Sequence, residues 1–281
     1  MHPFLIIRGI LIIIIIGMLL SLLYTNRICE TFSSDVLTLQ EDNHLKMRIV
    51  VINMDKDIAR LTKLQKSFSR TDLSSKYALN RFPAVIGKNV NERDWLTAAA
   101  MKQLHDVETR GFRTHHYQLT RGAIGCFLSH YNLAKQLLEE SDDIDMYFVL
   151  EDDAGLLPNC MDLIKKILLF APENWDIILL YTARCNGPII NKFFTKCNQF
   201  WSTCAYILNK TGARKLVDEV DKMKMDGQID AYLSRMVQQG KINVYGSNIH
   251  MAEPVAIDTN IQVDLQEFPG IDPFNYGGYI V

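Results

Sequence analysis

From Arg48 onward, short unbroken apolar runs alternate with longer segments whose apolar residues recur three or four positions apart. Arg48-Ile-Val-Val-Ile-Asn53 and Met146-Tyr-Phe-Val-Leu150 have the length and branched or aromatic content of buried strands. Further strands are expected at 79–86, where Pro83 marks an end, at 175–181, within 200–208, at 241–245 and around 249–257. Helical spacing appears over 54–70, through Ile58, Leu61, Leu64 and Phe68, and over 119–140, through Ile124, Phe127, Leu128, Tyr131, Ala134 and Leu138. It returns at 158–170, 211–223 and 227–239, whereas 91–118 shows no clear period. Strands and helices in alternation predict an α/β domain with a mainly parallel sheet.

The first residues follow a different pattern. Gly9 to Asn26 carries no charged side chain, and Leu11 to Ile16 is unbroken Leu and Ile. Phe4–Tyr24 is long enough to span a bilayer, with Arg8 near its start placed to snorkel to the interface. Leu20-Ser21-Leu22-Leu23-Tyr24 offers no small-x-small cleavage site, so a retained signal-anchor is expected over 1–26. The flanking basic residues favour a cytoplasmic N-terminus. Residues 27–46 are polar and read as a stem, 47–265 as the globular domain, and 266–281 as a Gly/Pro-rich tail.

Hydrophobic content of 48% and charged content of 22% are those of a globular protein, and a formal charge of −2 argues against nucleic-acid binding. The six cysteines form no Cys-x-x-Cys pair, which argues against a zinc site. Cys185 and Cys197 bracket a Gly-Pro loop and either bridge or stay free. Asn209-Lys210-Thr211 is a glycosylation sequon placed where a helix begins, so Asn209 also reads as a cap.

The candidate chemistry lies where the Met146–Leu150 run stops in Glu151, Asp152 and Asp153, followed by Ala154-Gly155. In open α/β sheets ligands bind beyond the carboxyl ends of strands, and three adjacent carboxylates call for a compensating cation. A hard divalent ion held by oxygen fits that need, and a solvated acidic turn is the alternative. Gly122 and Gly125 open the 119–140 helix, where backbone can approach a phosphate or another element. The adjacent pair His115-His116 has no matching third ligand and reads as surface or acceptor-cleft residues.

In this order, several segments together resemble glycosyltransferase family 25, which includes bacterial lipo-oligosaccharide galactosyltransferases and collagen hydroxylysine galactosyltransferases. They are Val51-Ile-Asn-Met-Asp55 with Arg60-Leu61, Phe82-Pro-Ala-Val-Ile-Gly87, Leu119-Thr-Arg-Gly-Ala-Ile-Gly-Cys-Phe-Leu-Ser-His130, and Val149-Leu-Glu-Asp-Asp153. Trp175-Asp-Ile-Ile178, Trp201 with Ala205-Tyr206, Gly212-Ala-Arg-Lys-Leu216 and Ile229-Asp230 continue it. Gly-Cys-Phe-Leu-Ser-His-Tyr-Asn looks most like the collagen-modifying branch, while Ile86 stands where an aspartate is common.

The resemblance implies a single GT-A-type nucleotide-sugar-binding domain that takes a UDP-sugar, UDP-galactose first, with Mn²⁺ or Mg²⁺. It implies metal ligands among Glu151, Asp152 and Asp153, and donor contacts from Asn53, Arg60, Arg121, Ser129, His130 and Asp152. Asp230 is the implied base for an inverting transfer to a glycan or a collagen-like hydroxylysine, with Asp226, Glu253 and His250 as further candidates. Asp226 reads as the cap of the helix that carries Asp230, and Trp201 as sheet packing. With the anchor, these features imply a single-pass type II membrane protein with a luminal domain in the ER or Golgi. The alternative is a catalytically silent relative that binds a glycan or a protein.

Overall fold

The computed structural model describes residues 45–114, 117–254 and 266–267. The anchor, nearly all of the stem, His115-His116 and nearly all of the tail lie outside the described residues. No described helix is long and apolar enough to cross a membrane.

The described strands are β1 (Met47–Asn53), β2 (Leu79–Pro83), β3 (Phe112–Arg113), β4 (Met146–Glu151), β5 (Ala154–Leu156), β6 (Ile177–Leu179) and β7 (Arg184–Asn186). They continue as β8 (Ile189–Asn191), β9 (Phe194–Lys196), β10 (Gln199–Trp201), β11 (Ala205–Asn209), β12 (Val244–Ser247), β13 (Ala252–Pro254) and β14 (Gln266–Glu267). The described helices are α1 (Ile58–Phe68), α2 (Glu92–Trp95), α3 (Ala98–Arg110), α4 (Arg121–Glu139), α5 (Cys160–Phe170), α6 (Lys210–Met223) and α7 (Ile229–Gln238).

Eight strands form the main sheet in the order β2-β1-β4-β11-β6-β12-β9-β8. The β1–β2, β1–β4 and β6–β12 pairs are parallel, while β11 is antiparallel to both β4 and β6. The β9–β12 and β8–β9 pairs are also antiparallel, so the sheet is mixed rather than mainly parallel. Apolar periodicity marks a strand but not its direction. The short β8–β9 connection permits only an antiparallel return, since a parallel one needs a crossover of about a dozen residues or more.

Two other expectations change. The segment without a clear period contains α3, capped by the Thr97 side chain and ended by Gly111 at φ 75°. Its buried Ala100, Leu104 and Val107 are helically spaced, but polar residues around them mask the stripe. Asp226 does not cap α7: Gln228 holds that position, and Asp226 pairs with Arg235. Asn209 is a cap, accepting from the Gly212 amide at 2.7 Å, and its Nδ2 donates to the Trp175 carbonyl at 2.6 Å. With both ends of its amide engaged, Asn209 presents no free sequon nitrogen.

Helix α4 is buried on more than the one face its spacing predicts: Ile124, Phe127, Leu128, Tyr131, Leu133 and Leu137 all lie in the core. Each such side chain contributes about 1.5–3 kcal/mol by leaving water. The Thr120 hydroxyl caps the helix by accepting from the Ala123 amide at 3.0 Å. Gly125 and Gly87 let the first turn of α4 lie directly against the 84–87 segment that follows β2. A methyl group on Gly125 would strike the Val85 carbonyl oxygen and the Gly87 amide. These are packing glycines, and the contact builds one wall of the cavity described next.

Candidate functional site

Parallel pairing places Asn53 of β1 and Glu151 of β4 at the same end of the sheet, in a register that opposes Ile52 to Glu151. Beyond these carboxyl ends lies a cavity of about 440 Å³, the size of a small-molecule pocket. Its walls are the β1–α1 turn, the 84–87 segment, the first turns of α4 and the Glu151–Asp153 triplet. Lys56, Arg60 and Lys88 add cationic groups to the same lining.

The triplet divides, as alternation at a strand end requires. Asp152 accepts from Asn53 Nδ2 at 2.7 Å and pairs with Arg60 at 2.8 Å, so both of its oxygens are engaged. Asn53 is itself held by Arg81, whose Nε donates to Asn53 Oδ1 at 2.9 Å. Burial raises the Asp152 carboxyl above its usual value against the pull of Asn53 and Arg60. Asp153 has less support: Arg60 lies 3.3 Å from Oδ2, and the Cys204 thiol is 3.8 Å from Oδ1. Burial and the neighbouring Glu151 push its carboxyl up to about 6. Arg60 is thus shared between two carboxylates, and the Asp153 oxygens are of the kind that suit a hard divalent ion. Arg60 Nε is buried with no hydrogen-bond partner among the described residues.

Glu151 turns to a different set of groups. Its Oε1 accepts from the Thr203 hydroxyl at 2.7 Å and lies 3.3 Å from His130 Nε2. Burial raises this carboxyl, but His130 and Thr203 outweigh burial and hold it below its usual value. The other ring nitrogen of His130 shares a 2.7 Å hydrogen bond with the Tyr206 hydroxyl.

Asp230 stands in the first turn of α7 and is joined to Glu151 through the 202–203 backbone. The Ser202 amide donates to Asp230 Oδ2 at 3.2 Å, and the Ala231 amide donates to Oδ1 at 2.8 Å. Ser202 adopts φ 80°, a left-handed conformation that costs a non-glycine residue about 1–3 kcal/mol. That bend aims the Ser202 amide at one carboxylate and the Thr203 hydroxyl at the other. Burial raises the Asp230 carboxyl despite these donors, and Glu151 adds to the rise.

The remaining site residues are engaged with protein groups. Arg121 pairs with Glu92 at 2.6 Å and Glu108 at 2.7 Å while lining the cavity. The Ser129 hydroxyl donates to the Gly125 carbonyl at 2.6 Å and accepts from the Val85 amide at 2.8 Å, which ties α4 to the cavity wall. Trp201 stacks on Tyr117 with centroids 4.6 Å apart. His250 and Glu253 are exposed, with His250 edge-on to Tyr181. Arg81, Cys126, Thr203 and Tyr206 join the site without having been singled out for chemistry from the sequence. Cys126 and His130, four apart on a recognisable helix, were the available signal; Arg81 and Thr203 gave none. Cys185 and Cys197 form a disulfide with Cα atoms 5.3 Å apart.

Residues 47–186 match the family model described as glycosyltransferase family 25 (LPS biosynthesis protein). A "Glycosyltransferase 25 family member" of Anopheles gambiae is 27% identical over 219 residues, covering 74% of this chain and 34% of its own length. Procollagen galactosyltransferase 1-B of Xenopus laevis is 30% identical over 177 residues, 59% of this chain and 27% of its own. Procollagen galactosyltransferase 2 of Homo sapiens is 26% identical over 185 residues, 60% of this chain and 27% of its own. The chain thus spans about a third or less of these relatives. A solved structure, the crystal structure of A197 from STIV, is matched with a TM-score of 0.37 at 12% identity over 75% of this chain and 86% of its own.

Proposed function

Because the chain belongs to glycosyltransferase family 25, we propose that it transfers a hexose from a nucleotide-sugar to an acceptor hydroxyl through a GT-A-type domain. UDP-galactose is the donor we favour, since relatives named procollagen galactosyltransferase recur among the matches. The acceptor in this reading is a collagen-like hydroxylysine or a glycan hydroxyl, attacked with inversion. The observation that carries it is the cavity beyond β1 and β4, where Asp152, Asp153 and Arg60 meet with Lys56 and Lys88.

Asp153, assisted by Asp152, is the residue that would hold Mn²⁺ or Mg²⁺. A bound ion would supply neutralisation of the diphosphate leaving group. Arg60, Lys56 and Lys88 place positive charge against the diphosphate, and Asn53 and Arg81 keep Asp152 and Arg60 in register. Asp230 receives the acceptor proton, its raised affinity for protons being of use to a base. Arg121 and Ser129 act on the donor through the wall they hold in place. The domain belongs, in this reading, to a type II membrane protein of the ER or Golgi lumen. The apolar 1–26 segment and the Cys185–Cys197 bridge, a bond suited to oxidising compartments, support that placement.

The test is a hydrolysis screen over UDP- and GDP-sugars with and without Mn²⁺, followed by an acceptor panel. One UDP-hexose should be turned over only with metal, and Asp153→Asn should weaken its metal-dependent binding at least about tenfold, ~1.4 kcal/mol, while leaving the melting temperature nearly unchanged. Absence of binding to every donor would instead favour a silent glycan- or protein-binding relative.

A further inference from the structure

We infer that Cys126, His130 and Glu151 form a second metal-ion site, for a borderline divalent ion of the Zn²⁺ type, on the inner wall of the cavity. Cys126 and His130 are four residues apart on α4, so their side chains share one face of the helix. Glu151 reaches that face from the end of β4. The thiol sulfur, a ring nitrogen and a carboxylate oxygen lie within 4.8 Å of one another. A tetrahedral ion with bonds of about 2.0–2.3 Å holds its ligands roughly 3.3–3.8 Å apart. The His130–Glu151 separation, 3.3 Å, is already in that range, so only modest contraction around Cys126 is needed.

A second observation points the same way. His130 is almost wholly buried, and its Nε2 meets Glu151 Oε1 at 3.3 Å in a weak, poorly aligned contact rather than a well-formed hydrogen bond. A buried ring nitrogen so weakly satisfied forgoes part of the about 1–3 kcal/mol that a well-made partner returns, and a metal ion bound at Nε2 would supply one. The surroundings are those of a prepared ligand set. Tyr206 meets Nδ1 at 2.7 Å, and where its oxygen accepts from Nδ1–H, Nε2 is left free to coordinate. Thr203 orients the Glu151 carboxylate from behind at 2.7 Å.

The donor set selects the ion. A thiolate, an imidazole and one carboxylate favour Zn²⁺ or Co²⁺ over the Mn²⁺ or Mg²⁺ suited to Asp152 and Asp153. Burial, with Glu151, Asp230 and Asp153 nearby, pushes the Cys126 thiol well up, so the free site keeps its proton. The same carboxylates attract a cation, and coordination displaces that proton to solvent. Three protein ligands leave a fourth position, and all three residues line the cavity, so that position opens into it. Cysteine spacing argued against zinc only because it can show ligands that are neighbours in sequence. Here they come from two elements.

The site requires no turnover and stands apart from the donor reading. Metal-free full-length protein is titrated with Co²⁺ and followed by absorption. The expected result is a thiolate-to-cobalt charge-transfer band whose amplitude saturates with one Co²⁺ per chain at this site and that Zn²⁺ abolishes. Cys126→Ser should remove the band and His130→Gln should weaken binding at least about tenfold, whereas Cys160→Ser should leave both unchanged. Far-UV circular dichroism checks folding, and Cys126→Ser decides the matter if the His130 variant unfolds. No thiolate band in the wild type, a band that survives Cys126→Ser, or one that instead disappears with Cys204→Ser would overturn the assignment.

Discussion

Asp230 and Asp153 are both half-buried carboxylates with raised proton affinity, but their surroundings ask different things of them. Asp153 lies among carboxylates with Arg60 as its nearby cation, whereas Asp230 is held by two backbone amides. Asp230→Asn should cut transfer by about 10²-fold or more while donor and metal affinity stay nearly unchanged. Its effect on stability has a defined sign. A carboxyl whose folded pKa lies above its unfolded value makes the native state bind more protons, so its contribution is greatest at low pH and is lost as pH rises through the folded value. Asparagine does not titrate. The variant should therefore melt close to wild type near pH 3 and gain on it as pH rises towards 7, as paired thermal melts would show. A variant that loses stability steadily over that range would mean the amide contacts outweigh burial.

At the scale of elements, the contact between the first turn of α4 and the 84–87 segment shapes the cavity. It depends on two glycines and on the Ser129 hydroxyl bridging from the Gly125 carbonyl to the Val85 amide. Gly125→Ala introduces a methyl with only backbone in its way, so the wall must shift rather than a side chain turn aside. We expect a loss of about 1–3 kcal/mol in urea unfolding together with weaker donor binding. Unchanged stability and affinity would show that the wall yields freely. Ser202 plays a comparable part between β10 and β11, where its left-handed backbone carries Thr203 to Glu151.

For the whole molecule, β1 begins at Met47, and the described residues from Lys46 onward form one compact unit. A chain starting at Lys46 should fold to a soluble domain whose melting temperature stays within about 2–4 °C of the full-length protein, a difference of ~1 kcal/mol at this size. It should retain metal-dependent donor hydrolysis. An insoluble, unfolded product would show that residues 1–45 are part of the folding unit.

Local pattern determined a great deal. The β1 and β4 runs, the long α4 and the carboxylates ending β4 were legible because apolar period and abrupt polarity are written in consecutive residues. So were the Asn209 cap and the order of family segments. Strand direction was not: an apolar run reads alike from either end, and only the neighbours it meets made β11 antiparallel to β4 and β6. Helix α3 escaped because its three buried residues are diluted among polar ones. The site shows the same division. Sequence placed Asn53, Asp152 and Asp153 at strand ends and Arg60 on the helix after Asn53, but only folding could bring Arg60 to two carboxylates about ninety positions away. Folding likewise turned Glu151 from its neighbours towards His130 and Thr203 and set Cys126 beside them. Those pairings depend on distances across the sheet, and no one-dimensional period encodes them.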